Sequence, residues 1–255
     1  MHTHPQLERL EQIARSLQTQ RGALALIGLG SCGVEIARMD AWSDLDFFVL
    51  VERGFKSAYL DDLGWLSSLC PLAYAFANTR DGYKVLFADG IFCEFGVFEP
   101  GELSEIPYAA GRMVWKRPEV PDALRQPAAP PVPPLARDAD WLLGEALTNL
   151  LVGLGREQRG ERLSAARFIQ GYAVERVLEL IEAGGSAPAA APLDVFDPPR
   201  RFEQRHPAAA AELGSWMQGY ARNRQSALCL LDWLERRYPV NPALAARIRA
   251  LAAAP

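Results

Sequence analysis

The stretch Ile27–Val51, IGLGSCGVEIARMDAWSDLDFFVLV, decides how the rest of the chain is read. It runs as an apolar strand, a Gly30-Ser31 turn, a polar excursion, and a second apolar strand opened by Ser43-Asp44-Leu45-Asp46. Side chains alternate along a strand, so Asp44 and Asp46 point to one side and Leu45 to the other. Two residues of strand rise place the two carboxylates about 7 Å apart at Cα, half a cage for a hard divalent cation. A Gly-Ser turn just ahead of them offers backbone N–H groups and a hydroxyl to a phosphate. Together these residues point to chemistry on a magnesium nucleotide. Taken alone, an Asp-x-Asp at a strand entrance is more often only a solvated strand end, so a third carboxylate is required.

Glu94 supplies the candidate. In IFCEFGVF (91–98), Phe92, Glu94, Gly96 and Phe98 share one face, and Ile91, Cys93, Phe95 and Val97 share the other. An acid among aromatics is costly to bury without a partner. It is read here as a third metal-site carboxylate, the alternative being a core ion pair. Further strands are expected over 23–29, 72–78 and 83–87, with Asp81-Gly82 and Asp89-Gly90 as hairpin dipeptides. Helices are expected over 7–17 and 59–69, the second stopped by Pro71.

From Pro118 to Pro134 there are seven prolines, the signature of an extended linker. Beyond it, residues 140–154, 162–182, 207–238 and 242–253 repeat apolar positions at helical spacing. The expected organisation is α+β: a mixed-sheet domain with flanking helices over 1–120, a linker over 121–134, and an all-helical domain over 135–255. A net charge of −4 weighs against nucleic acid and anionic membranes as partners. Four cysteines without CxxC spacing read as reduced, buried thiols of a cytoplasmic protein. The N-terminal segment carries acids and lacks an apolar core, so neither a signal peptide nor a membrane anchor is expected.

Gly30-Ser31, then WSDLDFFVLV, then an acid on a later strand resembles the nucleotidyltransferase superfamily that includes DNA polymerase beta. Within it the chain is most similar to lincosamide nucleotidyltransferases, through WSDLDFFVLV, GIFCEFGVF and the QRGE of Gln158–Glu161, and more distantly to streptomycin-type aminoglycoside adenylyltransferases. The resemblance implies transfer of AMP from ATP to a hydroxyl of a small antibiotic, with Asp44 and Asp46 holding magnesium, two ions in all. Glu94 would complete the triad as base or as third ligand. Gly30 and Ser31 would hold phosphate, with Ser43 and Asn149 as further nucleotide contacts, and a homodimer would be the assembly. One departure stands out: Glu35 occupies a position where the family usually has glycine.

Several other residues weigh less. Asn149 is as well explained as a satisfied core amide, Arg167 as a surface ion-pair partner, Arg200-Arg201 as a solvated loop, and Trp141, Trp216 and Trp233 as core anchors. A polycationic aminoglycoside would call for an acidic acceptor pocket, for which Asp194, Asp197, Glu203 and Glu212 are available in the helical half. A rival of another class is a nucleotidyltransferase-like module that binds a partner protein, as in toxin–antitoxin pairs.

Overall fold

Helix α1 (Pro5–Thr19) carries Leu10, Ile13, Ala14 and Leu17 at helical spacing and buries that stripe against a sheet. In the computed structural model, residues 4–129, 137–184 and 193–254 are described. They divide into two compact units, Met1–Pro131 and Val132–Pro255.

The first unit is built on six strands: β1 (Ala23–Gly28), β2 (Leu45–Val51), β3 (Leu72–Thr79), β4 (Gly82–Phe87), β5 (Phe92–Phe98) and β6 (Arg112–Lys116). Their order is β3-β4-β5-β2-β1-β6, with β2 and β5 parallel and the other pairs antiparallel. One sheet face presents Leu26, Phe47, Val49, Val85, Phe95 and Val97 to α1, α2 (Lys56–Asp61) and α3 (Gly64–Ser67). The opposite face packs Ala25, Ile27, Leu50 and Phe98 under Leu103, Tyr108 and Val120. Farther along β2 and β5 this second face changes from apolar to polar, and the candidate site lies there.

Three local differences from the sequence reading have physical causes. The expected helix over 59–69 is two short helices, because the Asp62 carboxylate accepts from the Gly64 N–H at 2.8 Å and restarts the chain. The β3–β4 turn is Arg80-Asp81 rather than Asp81-Gly82. Gly82 belongs to the strand, where a Cβ would stand 2.1 Å from the Phe95 carbonyl oxygen. Strand β6 was not anticipated; its apolar Met113-Val114-Trp115 is only three residues long and flanked by charge.

The proline-rich stretch begins as part of the first unit. A 3-10 turn over Asp122–Arg125 is tied down by Tyr108, whose hydroxyl donates to the Leu124 and Gln126 carbonyls, and by the Gly111 N–H donating to the Arg125 carbonyl at 2.7 Å. The remainder of the expected linker, 130–134, lies outside the described residues.

The second unit is helical: α4 (Ala139–Gln158), α5 (Arg162–Ala166), α6 (Val174–Ala183), α7 (Phe202–Arg205), α8 (Pro207–Trp216), α9 (Asn223–Glu235) and α10 (Pro242–Ala253). A π-helical segment, Arg167–Ala173, joins α5 to α6, so the helix expected over 162–182 runs with one widened stretch. The helix expected over 207–238 is broken between α8 and α9, where Gly219 sits at φ +94°. The core gathers Leu147, Leu150, Ile169, Val177, Trp216, Leu230, Trp233 and Ile248. Trp141 is not among them: it is exposed, with the Arg137 guanidinium over its ring. No helix among the described residues is long and apolar enough to cross a membrane.

Candidate active site

Strands β2 and β5 run parallel in a register that pairs Asp46 with Glu94. Directly opposed residues of neighbouring strands share a face, so the two acids stand side by side on the half-open face of the sheet. Both are partly buried. The structure therefore brings together two acids separated by 48 positions in the chain (94 minus 46). Asp44 precedes the first residue of β2 and is exposed, at the mouth of the same strand pair.

The turn ahead of them is a 3-10 turn over Gly30–Cys32. Gly30 adopts φ +51°, and a Cβ there would lie 3.6 Å from Asp46 Oδ2 and 3.2 Å from Arg38 Nη2. Glycine therefore places no side chain of its own between the Arg38 guanidinium and the Asp46 carboxylate. The Gly30 carbonyl accepts from the Gly33 and Glu35 N–H groups at 3.0 and 3.3 Å, so those two amides are committed to the turn. Ser31 is only 3% exposed. Beneath it the Cys32 thiol donates to the Asp44 carbonyl at 3.5 Å, and the Arg112 guanidinium caps the Cys32 carbonyl at 3.3 Å. Burial pushes the Cys32 thiol up despite the Asp46 N–H it receives, and pushes Cys93 up to about 12. Both thiols are fully buried in the core under the sheet.

Glu94 is engaged on both oxygens. Asn78 Nδ2 donates to Oε1 at 2.7 Å, and Lys84 Nζ stands 3.2 Å from Oε2. Lys84 faces Glu94 across the β4–β5 pair, and Asn78 is the extra residue of a β-bulge that turns its side chain toward the acid. Carboxylate oxygens suit a hard divalent cation, and Asp44 and Asp46 meet that requirement by donor type. Glu94, as held by Lys84 and Asn78, does not close the set: among the described residues no three acids, histidines or cysteines are grouped to hold a metal ion.

The remaining sequence-predicted residues are placed as follows. The Ser43 hydroxyl is taken up in an Asx turn with Asp40, at 3.1 Å from both the Asp40 N–H and its Oδ1. Asn149 belongs to the second unit, where its Nδ2 donates to the Glu145 carbonyl one helical turn back, at 2.8 Å. Arg167 lies over the Tyr172 ring, and Arg200 pairs with Asp194 at 3.0 Å. Glu35, the departure from the family pattern, pairs with Arg38 at 2.6 Å and so steadies the cation nearest the Gly30 turn. Arg38, Asn78 and Lys84 were missed by sequence reasoning. Lys84 had a visible signal, a lone cation inside the apolar strand YKVLF.

No family model and no curated protein matches the sequence. Among solved structures the chain is similar to the crystal structure of an aminoglycoside 6-adenyltransferase from Bacillus subtilis, at 13% identity over 98% of this chain and 92% of that one, with a TM-score of 0.37.

Proposed function

We propose that the chain is a nucleotidyltransferase that moves AMP from magnesium-bound ATP to a hydroxyl of a small antibiotic, a lincosamide. The observation that carries this reading is the parallel register of Asp46 and Glu94 on one sheet face, beside a glycine turn that brings the Arg38 guanidinium next to Asp46. Asp44 and Asp46 would hold the cation. When bound, magnesium supplies charge neutralisation for the triphosphate and for departing pyrophosphate.

The protein's own groups account for the rest. Gly30 adds no side chain of its own beside Asp46, and Arg38 places a guanidinium at the same point, suited to phosphate by its fork of donors. The acceptor oxygen forms a bond to the α-phosphorus, the bond from that phosphorus to the pyrophosphate oxygen breaks, and the electron pair leaves with pyrophosphate. The acceptor's proton passes to Glu94, whose carboxylate Asn78 and Lys84 hold in one orientation.

The test is incubation with magnesium, labelled ATP and a panel of lincosamides and aminoglycosides. The expected result is a lincosamide heavier by one adenylyl group, with one pyrophosphate released per transfer. Transfer to aminoglycosides alone would reassign the acceptor, and absence of pyrophosphate with every acceptor would overturn the reading.

A further inference from the structure

Beyond Glu94 the polar face of the sheet continues into an exposed aromatic surface with no role so far. Across the sheet, Asp46 is opposed by Glu94, Glu94 by Lys84, and Lys84 by Phe76. In the next row Phe92 is opposed by Leu86, and Leu86 by Tyr74. All of these residues therefore share the carboxylate face. Tyr74 is 57% exposed, Phe76 52% and Phe92 37%. Single exposed aromatics are ordinary. Three in adjoining registers, continuous with a pair of acids, form a surface that water wets at a cost.

We propose that Tyr74, Phe76 and Phe92 are the acceptor wall, the surface on which the apolar, non-reacting part of the acceptor rests while its hydroxyl meets the phosphate. This inference rests on the transferase reading and specifies its substrate class. Strand spacing sets the scale: Phe76 lies about 10 Å from Glu94 at Cα, and Phe92 about 7 Å along the same strand. A small amphipathic molecule spans that distance. The charge pattern points the same way. Lys84 pairs with Glu94 at the edge of the wall, so the negative charge left on this face is that of Asp46, toward the reacting centre, and none lies among Tyr74, Phe76 and Phe92. Strand β3 itself, LAYAFANT, has no charged residue. A ligand with one amine and an apolar tail fits such a wall better than an aminoglycoside does.

The experiment is equilibrium binding by calorimetry on the full chain, with magnesium, a non-hydrolysable ATP analogue and a lincosamide as probe. The probe should bind the unaltered protein, and the double substitution Tyr74→Ser with Phe76→Ser should weaken it by about tenfold or more, the loss expected for removing stacked apolar area. Affinity for the ATP analogue alone should not change, and circular dichroism should report an unaltered fold. Lincosamide affinity untouched by the double substitution would overturn the proposal, as would absence of lincosamide binding to the unaltered protein. Sedimentation showing a dimer that the double substitution dissociates would also overturn it, by assigning the face to a second copy of the chain. Pyrophosphate release with another acceptor, alongside any of these results, leaves the transferase reading standing, so the two claims fail separately.

Discussion

Asp46 carries the heaviest chemical burden of any single residue in the proposed reaction. It is partly buried, shares a register with Glu94, and lies beside Gly30. Asp46→Asn keeps the shape and removes the charge. Turnover should fall by about a hundredfold or more, as for loss of one preorganised electrostatic group. The thermal midpoint should move little, because the amide fills the same volume; a calorimetric scan beside a pyrophosphate assay checks both. Turnover that survives Asp46→Asn would remove this residue from the cation site. The burial of Leu45 between two more exposed acids, Asp44 and Asp46, was legible from the chain alone. The fate of the Ser43 hydroxyl was not, because it depends on Asp40, three residues back, closing an Asx turn.

The hairpins matter at the scale of elements, since they carry Lys84 and Asn78 to Glu94. Gly82 opens β4 directly opposite Gly96, where its Cα passes so close to the β5 backbone that no side chain fits. Gly82→Ala should therefore destabilise by about 1–3 kcal/mol, the range for overpacking a filled site, and should pull β4 from β5. Chemical denaturation measures the loss, and an unchanged midpoint would show that the hairpin relaxes freely. The same element explains why the site was only half read from sequence. Period-two patterning put Glu94 on the correct face, but the partner of each oxygen depended on a bulge at Asn78 and on the register of β4, neither of which alternation specifies.

Two predictions belong to the whole molecule. Each unit has its own buried core, and that of the second gathers Leu150, Trp216, Leu230 and Ile248. A polypeptide of residues 132–255 should fold alone, with a helical circular dichroism spectrum and cooperative melting; a non-cooperative melt would refute its independence.

The second prediction concerns pH. In this unit Glu182 accepts from Arg205 at 2.7 and 2.9 Å and lies 3.1 Å from His206 Nε2. Burial pushes the Glu182 carboxyl up, but the hydrogen bonds and charges of His206 and Arg205 outweigh it and hold the carboxyl below its ordinary value. A depressed carboxyl contributes stability above its unfolded value of 4.5, and that contribution is lost as pH falls through the lower folded value. The melting temperatures of the unaltered protein and of Glu182→Gln should differ most at neutral pH and converge in acid. A gap that stays constant from neutral pH into strong acid would refute the assignment.

The sequence by itself determined the class of each half: short apolar runs bounded by turn residues favour strands, and three-four spacing over longer stretches favours helices, because those periods are properties of the backbone. It also placed Asp46 and Glu94 on their strands. Only the tertiary structure decided that β2 and β5 are neighbours, that Lys84 and Asn78 take the two oxygens of Glu94, and that β6 closes the sheet beside β1. Strand order and register depend on contacts between residues far apart in the chain, and no local pattern encodes which distant strand supplies the other half of a hydrogen-bond ladder.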